Sequence, residues 1–144
     1  SRGLGDVYKR QVPCSGKTAP RCRGHRLRHR GGRDGAVFGK PHDAEDAKRM
    51  LRALSGKTHQ VHTGVCIAKG DRAEHFVDSC KVTFFPLGEE EIAFYTATPE
   101  PYDKAGAYAI QGRAALWMDR IEGDYYTIMG LPVSRTVQTL AHFL

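Results

Sequence analysis

The sequence predicts a mixed α/β domain whose sheet is at least partly antiparallel and flanked by helices. Three observations carry the prediction. Two long runs between residues 58 and 85 alternate apolar and polar side chains, with Gly70-Asp71 between them, as a half-buried antiparallel pair would. Capped segments with an apolar stripe stand before and after that pair. The stretch Pro101 to Gly112 has an acid beside a base and two glycines but neither period, the profile of a site loop.

In chain order, Asp34-Gly35 reads as a tight turn and Ala36-Val37-Phe38 as a short strand running into Gly39-Lys40-Pro41. Pro41 keeps Lys40 extended, so its ammonium can point into a cleft; the alternative is a surface lysine at a strand end. Residues 43 to 54 make the clearest helix. Asp43 is a good N-cap, Asp46 lies in the first turn, and Ala47, Met50, Leu51 and Leu54 form the stripe.

The first long strand runs from Thr58 to Lys69, with Val61, Thr63, Val65 and Ile67 on one face; the second runs from about Ala73 to Phe85. His59, His62 and His75 have no carboxylate cluster beside them and read as half-buried residues of the sheet rather than metal ligands. Glu89-Glu90-Glu91 suits the positive end of a helix dipole, with Ile92, Phe94 and Tyr95 as an apolar side and an end by Thr98-Pro99. After the site loop, Ala114 to Ile121 reads as a strand and Glu122-Gly123-Asp124 as a turn. Tyr125 to Met129 reads as the return strand, and Pro132 opens a final helix whose Val133, Val137, Leu140 and Ala141 face inward.

The chain has 144 residues, 40% of them apolar, which suits one domain with its own core. No apolar run approaches the roughly 18 residues of a membrane span, no secretory pattern opens the sequence, and a cytoplasmic protein is expected. The four cysteines, at positions 14, 22, 66 and 80, show no C-x-x-C spacing and read as thiols.

The net charge of +6 is unevenly spread. Residues 1–33 hold ten Lys/Arg against one acid, Asp6, whereas residues 34–144 hold twelve against fifteen Asp/Glu. Three readings compete for residues 1–33. One is a disordered basic arm for phosphates or nucleic acid. Another is a zinc-like cluster of Cys14, Cys22, His25 and His29, whose spacing fits no standard finger. The third is a segment that is not native coding sequence. Asp6-Val7-Tyr8-Lys9-Arg10-Gln11 looks like a translated sequencing adapter. Permitted codons for Gly24 to Gly31, read one base along, spell Val-Ile-Gly-Ser-Asp-Thr-Val, an apolar strand entering a polar turn. The domain proper then begins at residue 34, with an adapter-like 1–11 and an out-of-frame 12–33 before it. Gly16-Lys17-Thr18 and Gly56-Lys57-Thr58 are not phosphate loops, because Gln11 and Leu51 stand where the first glycine is required.

Gly39-Lys40-Pro41, Leu54-Ser55-Gly56-Lys57-Thr58-His59, Asp103-Lys104-Ala105-Gly106-Ala107-Tyr108-Ala109-Ile110-Gln111-Gly112, and Gly123-Asp124-Tyr125-Tyr126 with Gly130-Leu131-Pro132-Val133 occur in this order. Together they resemble the Maf proteins, nucleoside triphosphate pyrophosphatases also called septum formation inhibitors. The likeness runs from Asp34 to Phe143.

The resemblance implies a Maf/ITPase-like fold, here incomplete at the N-terminus, and a cytosolic, homodimeric enzyme. Such an enzyme cleaves a nucleoside triphosphate to the monophosphate and pyrophosphate with a divalent metal, magnesium or manganese. It implies Lys40 and Lys104 on the phosphates, and Asp103 as a carboxylate positioning metal, water or Lys104. Gln111, a donor and an acceptor in one side chain, suits the imide edge of thymine or uracil, and Ile110-Gln111-Gly112 resembles the dTTP/UTP-directed branch. Two departures stand out. The Ser-x-Ser-Pro-Arg-Arg motif that grips the triphosphate is absent from the sequence. Twelve residues before Lys40, where the family carries its general-base Asp, stands Arg28; the shifted frame spells the Asp. The resemblance therefore implies an impaired copy. A non-catalytic nucleotide-binding regulator of division is the alternative.

Overall fold

The structure, a computed structural model, describes the backbone of residues 23–29 and the whole of residues 37–144. The adapter-like segment, the proposed zinc cysteines Cys14 and Cys22, and the Asp34-Gly35 turn lie outside the described residues.

Among the described residues, five antiparallel strands form one sheet in the order β2-β1-β3-β4-β5. They are β1 (Arg23–His29), β2 (Val37–Phe38), β3 (Thr58–Lys69), β4 (Arg72–Phe84) and β5 (Met118–Glu122). The β3-β4 hairpin is the spine, in register from Thr58 opposite Thr83 to Lys69 opposite Arg72. The expected alternation is realised: His59, Val61, Thr63 and Val65 of β3 and Cys80, Val82 and Phe84 of β4 are buried. They share one face, because paired residues of an antiparallel ladder point the same way.

That face is covered by α1 (Ala44–Leu54) and α2 (Glu89–Thr96). Asp43 caps α1 by accepting a hydrogen bond from the Asp46 N–H at 2.8 Å. Ala47, Met50, Leu51 and Leu54 bury the stripe in the same core as Val61, Val82, Phe84, Ile92 and Tyr95. Each large apolar side chain so buried contributes about 2 kcal/mol from its removed surface. Burial also pushes the Cys80 thiol up to about 11, leaving it a neutral core residue.

Four expectations need correction. The segment Arg113–Trp117 is a 3-10 turn, and β5 begins only at Met118. Ala114 and Trp117 are its buried residues, a spacing of three that suits the tighter helix and not a strand. Tyr125–Met129 is a short helix, α3, rather than a return strand. The Asp124 carboxylate accepts from the Tyr126 N–H at 2.9 Å, and that cap overrides the β preference of Tyr, Thr and Ile.

In α4 (Val133–Leu140) no residue is buried, so Val133, Val137 and Leu140 do not face inward, and Ala141 just beyond it is exposed as well. Arg135 holds this helix from its other side, donating to the Val77 carbonyl and the Asp78 carboxylate and lying over the Phe76 ring at 4.6 Å. In α2, Phe94 is 65% exposed and lies outside the core, with the Arg113 guanidinium 5.3 Å above its ring.

Candidate functional site

The Pro101–Gly112 stretch is anchored through its backbone and exposes its charges. Glu100–Asp103 and Ala105–Ala107 form two 3-10 turns with Lys104 extended between them. From Ala105 to Ile110 every residue is buried. Gly106 has φ of 75° and Ala107 has φ of 62°, so the chain turns through two successive left-handed residues. The first suits glycine; the second is a conformation alanine rarely takes.

This turn carries the first two predicted groups to a third. The Gly106 N–H donates to the Gly39 carbonyl at 3.0 Å, tying the loop to the segment that bears Lys40. The Lys104 ammonium donates to the Asp103 carboxylate at 2.9 Å. That bond is the main reason the Asp103 carboxyl lies below its usual range, and the charge of Lys40 adds to it. Lys40, Asp103 and Lys104 are therefore assembled on one edge. With side-chain exposures of 67% and 32%, Asp103 and Lys104 form a solvated pair worth at most about 1 kcal/mol to folding. Two point cations at one edge can hold phosphate oxygens, while the carboxylate orients Lys104.

Gln111 is exposed, although its setting among apolar neighbours suggests burial. It lies beyond the buried run, where the Gly112 N–H turns back to the Ala109 carbonyl at 3.1 Å. Lys104 and the Gln111 amide thus flank the buried run of the loop on either side. In β1, Arg28 pairs with Val37 of β2 and Gln60 of β3. Of the three histidines, His59 is fully buried, His62 is half-buried with Ser79 at 2.7 Å, and His75 is exposed.

Glu100 and Tyr108 matter to this loop and are not marked by the sequence. The Glu100 carboxylate accepts from the Arg113 N–H at 3.2 and 3.3 Å. It packs so closely that a Cβ on Gly112 would come within 2.0 Å of it. Its only signal is its position between Pro99 and Pro101, which reads as turn chemistry. The Tyr108 hydroxyl lies 2.7 Å from His59 Nε2 in the core. The signal for that contact is that His59 falls in phase with Val61 and Thr63.

A resident metal cage is not built here: among the described residues no group of three His, Cys, Asp or Glu could hold an ion. No helix among the described residues is long and apolar enough to cross a membrane.

Residues 31–143 match the family described as Maf-like protein. The dTTP/UTP pyrophosphatase of Bacillus velezensis is 54% identical over 110 residues, 76% of this chain and 58% of that protein. Proteins of the same name from Bacillus cytotoxicus and Bacillus mycoides are 50% and 48% identical, each over 110 residues. The chain thus spans 58% of the length of each of these relatives.

Proposed function

The chain belongs to the Maf-like protein family, and from that premise we propose that it is a nucleoside triphosphate pyrophosphatase acting on dTTP and UTP. The observation that supports this most is the bond from the Gly106 N–H to the Gly39 carbonyl, which sets Lys40 against the Asp103-Lys104 pair. The name shared by the relatives, dTTP/UTP pyrophosphatase, supplies the substrate class.

In the proposed reaction a water oxygen bonds to the α-phosphorus. The bond from that phosphorus to the α,β-bridging oxygen breaks, and pyrophosphate leaves beside the monophosphate. Lys40 and Lys104 balance the charge that gathers on the phosphate oxygens. Asp103 holds Lys104 in place through their 2.9 Å bond. Gln111 offers its amide to the imide edge of the base.

Magnesium or manganese fits this site as part of the nucleotide, since a hard cation held by phosphates and water needs few protein carboxylates. When bound it would further neutralise the phosphates.

The attacking water must also lose a proton, and Arg28, permanently charged, cannot take it. The chain as written is therefore an impaired enzyme. The same residue favours a second reading, a nucleotide-binding regulator of septum formation that does not cleave. Both readings place the protein in the cytoplasm as a homodimer.

Release of pyrophosphate from dTTP and UTP with magnesium is the test. Slow release is expected, and a rate typical of an intact enzyme would overturn the impairment. Nucleotide-dependent thermal stabilisation with no release at all would favour the regulator.

A further inference from the structure

Beneath the charged edge lies a polar pair that the proposed chemistry does not use. His59 and Tyr108 are both buried, 49 positions apart in sequence, with Nε2 and the hydroxyl 2.7 Å from each other. Burial pushes the Tyr108 hydroxyl well above its ordinary range, so it stays protonated, and the His59 tautomer sets which of the two donates. Both rings meet Phe84 edge-on, at 5.0 Å for His59 and 4.9 Å for Tyr108. One residue on, the Ala109 N–H donates to the Tyr95 hydroxyl at 3.1 Å.

Tyr108 directly follows the left-handed Gly106-Ala107 pair. An alanine at φ of 62° lies outside the conformations it prefers. Such a turn persists only where its surroundings hold it. Here it is held by the Gly106 bond to Gly39 on one side and by the seating of Tyr108 and Ala109 on the other. Were Tyr108 to unseat, the turn could relax, and Asp103-Lys104 would lose their alignment with Lys40.

We propose that Tyr108, through its buried hydrogen bond to His59, is a positioning residue for the phosphate-binding edge, fixing the strained turn that aligns Lys104 with Lys40. The proposal rests on the reading of that edge given above, and its test separates the two.

The variant is Tyr108→Phe, which removes one oxygen and keeps the ring. Native-state hydrogen exchange should show the Gly106 amide exchanging about tenfold faster, with the Val82 amide in β4 little changed, because only the loop has been loosened. Titration with inorganic triphosphate should show affinity reduced about fivefold or more, on the scale of one lost hydrogen bond. Unchanged exchange at Gly106 would overturn the positioning role. So would equal acceleration at Gly106 and Val82, which would mark Tyr108 as part of general stability. If the unaltered protein fails to bind triphosphate, the phosphate-edge reading falls, while the exchange contrast still decides whether Tyr108 holds the turn.

Discussion

Lys104 and Asp103 touch at 2.9 Å with one partner exposed and the other about one-third exposed, so removing the pair's bond should alter folding little. Lys104→Ala is expected to change stability by no more than about 0.5 kcal/mol, and to weaken dTTP binding about tenfold, the scale of a lost charge-assisted bond. Calorimetric titration alongside urea unfolding checks both halves. Gly112→Ala makes the opposite case. Its new Cβ would meet the Glu100 carboxylate at 2.0 Å and displace it from the Arg113 N–H. A melting temperature lowered by the equivalent of about 1 kcal/mol is expected. Lys40, Asp103 and Lys104 were legible in the sequence as candidates only, because charge beside glycine and proline is a local pattern. The contacts of Glu100 and Tyr108 were not. They join residues 13 and 49 positions apart, and the phase that puts His59 on the core face does not name its partner.

Among the elements, α1 was legible to within a residue or two because its cap, stripe and stop are all local. Asp43→Ala should remove about 1 kcal/mol, seen as a lower urea midpoint at unchanged slope. Asp46 adds a pH dependence. Its bond from Arg49 and that from the His42 N–H hold its carboxyl below the ordinary value. A carboxyl whose folded value is depressed contributes fully above its unfolded value, near pH 4, and loses that contribution as the pH falls through the folded value. Asp46→Asn should therefore flatten the acid limb of the stability curve and lower its plateau at neutral pH, which melting temperatures between pH 2 and pH 7 would read. The hairpin expected after residue 113 does not form, because the Asp124 cap outweighs the β preference of the residues that follow it. Asp124 bonded to the Tyr126 N–H sets α3, and the pairing of β4 with β5 shifts at Thr83/Phe84. Nor does the apolar stripe of α4 reveal its orientation, since Arg135, a charged residue, anchors the helix.

At the scale of the molecule, one core joins the sheet, α1, α2, the loop and Ile128 of α3, and the mixed, antiparallel architecture followed from the alternation of β3 and β4. Val133, Val137 and Leu140 of α4 and Tyr125, Tyr126 and Met129 of α3 are exposed, apolar surface available to the proposed dimer. Sedimentation equilibrium should accordingly return twice the 16.0 kDa chain mass. The central claim is that this fold presents Lys40, Asp103 and Lys104 to a nucleoside triphosphate, and the melting temperature measured against dTTP with magnesium tests it most directly. At a hundredfold excess over Kd, a ligand bound only by the folded state adds about 2.7 kcal/mol. A rise that grows with dTTP, and that Lys104→Ala cuts by about half at the same dTTP concentration, is the predicted result. A melting temperature indifferent to dTTP, or a rise that Lys104→Ala leaves intact, would contradict it.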